Sequence, residues 1–188
     1  MPSGLIPTGI INGKKVYTIK VPIMGEAYVG KTSIANRLSG GGYISDYRMT
    51  IGVDIFMRYI ENNHGIYRIQ IWDIAGQRKF SFLRKIFYKG ANAGIFVFDV
   101  TRRRTFESLN NWIRDFLSFH PSVPIIILGN KKDLESQRMV DKREGLELAK
   151  RFSTIYIETS ALTGENVEKA FYWIIDRILA KKHAVVSV

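Results

Sequence analysis

Cysteine is missing from all 188 residues. Its absence removes disulfides, thiolate zinc sites, S-palmitoylation and C-terminal prenylation from this sequence. Long apolar runs are missing too; none reaches the roughly 18 residues a membrane span needs. The first residues, MPSGLIPTGI, have neither a basic start nor a long apolar core and do not read as a secretory signal. Pro2 excludes N-myristoylation. Repeats and low-complexity tracts are absent. Acids are scarce, 17 against 28 Lys and Arg, for a net charge of +11. That balance favours anionic partners. Nucleic acid is not the expected one, because no zinc-finger, RNP or helix-turn-helix signature accompanies the charge. The expectation is a monomeric cytoplasmic protein without a lipid anchor, whose basic surface allows weak electrostatic contact with anionic membrane.

What is present is alternation. Apolar runs and amphipathic segments follow one another, as in βαβ units. Strands are expected over 15–24, 53–61, 67–74, 94–100, 124–128 and 154–158, with NNHG at 62–65 closing a hairpin. Helices are expected over 31–38, 106–119, 141–151 and 166–182, with a short irregular one inside 80–89. Asp141 and Glu144 have capping-box spacing. The fold class is therefore α/β: a six-stranded, mostly parallel sheet with one antiparallel strand, and about five helices on both faces. A single domain is expected over 1–188, with an N-terminal extension over 1–14 and a short tail over 183–188. Pro22 is the discordant residue. It falls in a strand expected to be central, where proline has no N–H for the ladder.

Gly25, Glu26, Ala27, Tyr28, Val29, Gly30, Lys31 and Thr32 fit G-x-x-x-x-G-K-[ST], after a strand and before a helix. Such a loop turns successive N–H groups inward onto phosphate oxygens, and the helix start adds partial positive charge. Lys31 suits the β and γ phosphates and Thr32 a Mg²⁺ ion, with Ser33 counted among the nucleotide-binding residues. GNKKDL at 129–134 addresses a base. Asp133 can accept from the N1–H and amino group of guanine, and adenine offers no such pair, so a mismatched base leaves a buried carboxylate unpaired. Asn130 ties the site together and the Lys131 stem covers the base. ETSAL at 158–162 supplies Ser160, Ala161, whose N–H suits the guanine carbonyl, and Leu162. WDIAGQ at 72–77 supplies Asp73 for Mg²⁺ through water, Gly76 as a γ-phosphate sensor and Gln77 to orient water. Thr50 suits both Mg²⁺ and the γ-phosphate.

With these five motifs in order, the chain resembles the Ras superfamily of small GTPases, and within it the Rab branch. The Rab resemblance rests on IGVDI after Thr50, RIQIWD, IAGQ, FYKGA at 87–91 and FVFDVT at 96–101. It implies that Tyr43 packs on the guanine and Tyr47 covers the phosphates. It implies a GTP/GDP switch with Mg²⁺ and slow hydrolysis, with Gln77, Lys31 and Thr50 in the chemistry. Effectors, an exchange factor and an activating protein would meet residues 43–54 and 73–89, and the process would be membrane trafficking or related signalling. Two alternatives stay open: a GTP-bound scaffold with little hydrolysis, and another P-loop enzyme such as a nucleotide kinase. Departures from the family stand at Arg78, where Rab proteins carry glutamate, at Ala27 in the phosphate loop, and at Leu162. Arg78, Lys79, Arg84, Lys85 and Lys89 form a basic second switch with no acid. Arg48 is a weak candidate for an internal arginine finger.

Overall fold

A computed structural model describes residues 5–41, 52–76 and 84–184, with side chains to residue 180. Among these residues the strands are β1 (Pro7–Ile11), β2 (Lys14–Met24), β3 (Val53–Asn62), β4 (Gly65–Ile74), β5 (Gly94–Asp99), β6 (Ile125–Asn130) and β7 (Tyr156–Thr159). The helices are α1 (Lys31–Leu38), α2 (Arg84–Tyr88), α3 (Arg103–Phe119), α4 (Lys142–Arg151) and α5 (Val167–Ala184), and a 3₁₀ segment covers Lys132–Gln137. The sheet runs β3-β4-β2-β5-β6-β7, with β1 paired to β2 outside that path. The run from β4 to β7 is parallel throughout. β3 is antiparallel to β4, as the hairpin signal required. No helix among the described residues is long and apolar enough to cross a membrane.

One strand was not expected. Residues 7–11 pair antiparallel with β2, so the sheet has seven strands and a second antiparallel pairing. The turn is Asn12-Gly13, at φ of 48° and 75°. Both residues are left-handed there, as a two-residue hairpin turn requires, and Asn-Gly is the pair that tolerates it best. The five β1 residues are all exposed. The strand is therefore held by its turn and ladder rather than by burial.

Two apolar layers sandwich the sheet. On one face Ile19, Val21, Ile23, Ile69 and Ile71 meet α1 and the stripe Val167, Phe171, Ile174, Ile175 and Ile178 of α5. On the other, Phe96, Phe98 and Ile127 meet Leu109, Trp112, Ile113 and Phe116 of α3 and Leu148 of α4. Every residue of β5 and β6 is buried, which is why these strands read as continuous apolar runs rather than alternating ones. The α4 capping box is complete: Arg143 N donates to Asp141 Oδ1 at 2.7 Å and Asp141 N to Glu144 Oε2 at 3.0 Å. α3 begins at Arg103, three residues ahead of its apolar stripe, because Thr105 Oγ1 accepts from Asp99 N at 3.0 Å and donates to Arg102 O at 2.7 Å.

Pro22 now has a physical account. β2 pairs with β5 only from Ile23 onward. Lys20, two residues earlier and pointing the same way, is served by Asn92: its N–H donates to Asn92 Oδ1 at 2.8 Å and its carbonyl accepts from Asn92 N at 2.9 Å. The proline sits where the ladder to β5 has not yet closed, so its missing donor interrupts little. On the other side the register with β4 runs unbroken from Val16 to Ile23.

Gly145 in α4 faces the Tyr156 ring, and a Cβ there would lie 2.4 Å from the ring carbon Cζ. That ring cannot retreat, being stacked on Phe98 and bonded through its hydroxyl to Glu158 at 2.9 Å. Gly→Ala inside a helix ordinarily stabilises by about 0.5–1 kcal/mol. Here Gly145→Ala is expected to destabilise by about 1–3 kcal/mol, read as the shift in urea unfolding.

Candidate functional site

The parallel strands deliver five loops to one end of the sheet. Chain order reverses across β2, with β4 on one side and β5 on the other, which is where open α/β sheets place their ligand crevice. The loop after β2 spans residues 25–30 and feeds directly into α1. Gly25, Tyr28 and Gly30 hold positive φ of 140°, 66° and 96°, which curls the backbone round the start of α1. Close packing leaves no room for side chains at its glycines. A Cβ on Gly30 would stand 2.2 Å from Asn130 Nδ2, and one on Gly76 would stand 2.4 Å from Ala27 N. The loop after β4 therefore lies directly against the loop after β2.

Lys31 is buried inside this curl. Its ammonium donates to Gly25 O at 3.0 Å and Glu26 O at 2.8 Å. Burial pushes its pKa down to about 8, against the pull of Asp73 and Glu26. Arg102 and Arg84 add to the lowering. A buried cation held mainly by neutral carbonyls favours an arriving anion, which would restore the charged form. Thr32 Oγ1 donates to Asp73 Oδ2 at 2.5 Å, and Asp73 is wholly buried at the end of β4. Ser33 is buried beside them.

Asn130, at the end of β6, joins three loops. Its Nδ2 donates to Val29 O at 2.8 Å, while Oδ1 accepts from Ala161 N at 3.1 Å and Thr159 Oγ1 at 3.2 Å. The Ala161 N–H, expected to face a guanine carbonyl, is directed at Asn130 in this arrangement. Asp133 accepts from Ser160 Oγ at 2.5 Å, and Ser160 Oγ accepts from Thr163 N at 3.0 Å. The Asp133–Ser160 bond thus joins the segments that follow β6 and β7. Leu162 is exposed at its rim. Arg37 closes the back, donating to Ala161 O at 2.6 Å and Leu162 O at 2.5 Å.

Tyr43, Tyr47, Arg48, Thr50, Gln77, Arg78 and Lys79 lie outside the described residues. Arg84, one of the basic residues of the second switch, packs against α3: its guanidinium carbon lies 3.5 Å from the centroid of the buried Trp112 ring. Lys85 keeps nearer the surface, 5.5 Å from the Phe119 ring. Sequence reasoning missed Arg37, Asp99 and Arg102. The signal for Asp99 was there: FVFDVT ends a wholly apolar strand on an acid, level in the β5–β6 register with Asn130.

Comparison with known proteins decides the family. The Ras family model matches residues 20–180. The chain is 36% identical over 172 residues to the Ras-related protein RABA6a of Arabidopsis thaliana, covering 91% of this chain and 72% of that one. It is 40% identical over 166 residues to the Ypt/Rab-type GTPase ypt7 of Schizosaccharomyces pombe, at 85% and 81% coverage. With the Ras-related protein Rab-8A of Bos taurus it shares 38% identity over 167 residues, at 88% and 80%. The chain belongs to the Ras family. It is a Rab-like small GTPase, a switch that binds guanine nucleotide and hydrolyses GTP. Members of this family act through regulators and effectors in general, and this one is of that kind.

The three-loop knot should be measurable without ligand. Asn130→Ala strands the buried Ala161 N–H and Val29 carbonyl, each worth about 1–3 kcal/mol when unsatisfied. The nucleotide-free protein is expected to lose about 2–4 kcal/mol in urea unfolding. A loss below about 1 kcal/mol would show that the knot does not hold the loops.

Proposed function

We propose that residues 25–33, with Asp73, Gly76, Asn130, Lys131, Asp133 and 160–162, form the GTP and GDP site of one domain spanning 1–188. The observation that carries the reading is the convergence on Asn130: its side chain bonds the phosphate loop at Val29 and the Ala161 loop, and Asp133, three residues further on, is bonded to Ser160 of that same loop. Asp133 is held beside Ser160, where its carboxylate would discriminate guanine from adenine. Asn130 would release the Ala161 N–H to the guanine carbonyl, or share it.

Mg²⁺ fits the donor set, a hydroxyl and a carboxylate meeting at Thr32 and Asp73, both hard oxygen donors. When bound it neutralises phosphate charge. The rest falls to the chain. Lys31 exchanges its two loop carbonyls for phosphate oxygens and holds charge there. Thr50 binds in the GTP state only. Gln77 is a neutral amide and a poor base, so its task is positional, holding water in line with the γ-phosphorus. Tyr43 covers the guanine and Tyr47 the phosphates. The switches at 43–54 and 73–89 order round the γ-phosphate and present themselves to effectors, an exchange factor and an activating protein. The process is membrane trafficking or a related signalling one, by analogy with the Rab relatives. The basic surface supplies a weak contact with anionic membrane.

Asp133→Asn tests the base site: GTP and GDP affinity are expected to fall together by at least about 100-fold, with xanthine nucleotides gaining. Unchanged GTP affinity would sink the assignment. Gln77→Leu tests the chemistry, with hydrolysis expected to drop at least about tenfold in single-turnover assays at intact GTP affinity. Hydrolysis that is negligible in the wild type would favour the scaffold alternative instead.

A further inference from the structure

Asp99 ends β5 with no exposure to solvent, and four donors converge on it. Oδ1 accepts from Thr101 N at 2.9 Å and Thr101 Oγ1 at 2.7 Å. Oδ2 accepts from Lys131 Nζ at 2.7 Å and Arg102 Nε at 3.0 Å. The same guanidinium has a second bond, from Arg102 Nη2 to Ala27 O at 2.8 Å. One buried carboxylate therefore ties Lys131, in the base-reading loop, to Arg102, and Arg102 ties it to the crest of the phosphate loop.

The bond to Ala27 O has a consequence through peptide geometry. In a trans peptide the C=O and the following N–H point in opposite directions. A donor fixed on the Ala27 carbonyl by Arg102 therefore turns the Tyr28 N–H away from Arg102. Tyr28 sits at φ 66°, a left-handed conformation that a side chain with a Cβ resists. A peptide flip between residues 27 and 28 is the natural way for this loop to relax, and it would turn the Tyr28 N–H outward. The Arg102 bond opposes that flip.

We propose that Arg102 is a positioning residue for the phosphate loop: anchored on Asp99, it locks the Ala27–Tyr28 peptide in the orientation that presents an inward N–H to phosphate. The proposal rests on the nucleotide-site reading above. It makes the β-phosphate contribution to affinity depend on a side chain at the start of α3, outside the phosphate-binding sequence motif, that grips the loop through one backbone carbonyl, and it assigns Asp99 the coupling of base loop to phosphate loop. The Arg102 side chain is 40% exposed, so removing its head leaves no buried hole.

The test compares GDP with GMP, which lacks the β-phosphate, by competition against a fluorescent GDP analogue. Arg102→Met, which keeps the stem and removes the donors, is expected to weaken GDP at least about tenfold and GMP less than about threefold, since one lost charge-assisted bond acts only where the loop grips. In a Tyr28→Gly background, where the left-handed strain is gone, the same substitution is expected to cost GDP less than about threefold. Equal losses for GDP and GMP, or no loss, would overturn the lock, and so would an undiminished effect in the glycine background. Asp99→Asn should weaken both nucleotides, and adding Arg102→Met to it should change little. Should Asp99→Asn not fold, the Arg102 and Tyr28 variants decide alone. A wild type that fails to prefer GDP over ADP would sink the site reading itself. A wild type that prefers GDP, with an Arg102→Met variant whose GDP to GMP ratio is unchanged, sinks only the lock.

Discussion

A single buried amide holds the working end of this molecule together. Asn130 stands at the end of a strand with no exposed residue, and its Nδ2 and Oδ1 tie loops that follow β2, β6 and β7. The constraint is unforgiving in both directions. The amide must find partners because it is buried, and the groups it satisfies are buried too. Its neighbour Gly30 has no room for a Cβ, because the Asn130 amide occupies that space. The phosphate loop can therefore be built only against this side chain, and the base loop inherits its position from the same contact.

Charge is arranged round that knot with the same economy. Lys31 is a buried cation whose own loop supplies carbonyls but no ion pair, and its lowered pKa expresses the cost. Asp99 is the opposite case. Burial pushes its carboxyl up, yet the bonds from Lys131 and Thr101 outweigh that and hold it below the usual carboxylate range. One group is poised to gain from an anion, and the other is already satisfied and serves as a post. A net charge of +11 makes the approach of any anion favourable from a distance, but the selectivity lies in these few fixed groups.

Much of this was legible in the chain because its motifs are local. A P-loop joins a strand to a helix within a dozen residues, and glycine spacing, helix start and apolar run can be read together. α4 is a similar case, since a capping box needs only residues three apart. The misreadings have physical causes. Asn12-Gly13 is a strong hairpin signal, but β1 buries nothing, so no apolar alternation drew attention to it. Pro22 looked wrong for a central strand because the sequence does not reveal that Asn92 serves the neighbouring residue in place of a strand. Arg84 was grouped with the other basic residues of the second switch, and nothing local shows that its guanidinium carbon lies over the Trp112 ring, 28 positions further along the chain.

The sequence by itself determined the order of elements, the identity of the phosphate, metal and base motifs, and the family that carries them. These depend on spacing along the backbone, which is preserved however the chain folds. Tertiary structure alone decided what the charged side chains pair with. Arg102 reaches Ala27 across 75 positions and Arg37, on α1, reaches Ala161 across 124, contacts that exist only because the fold brings together segments that follow separate parallel strands. Long flexible side chains carry no periodic signature, and their partners are chosen by the desolvation of whatever the fold buries beside them.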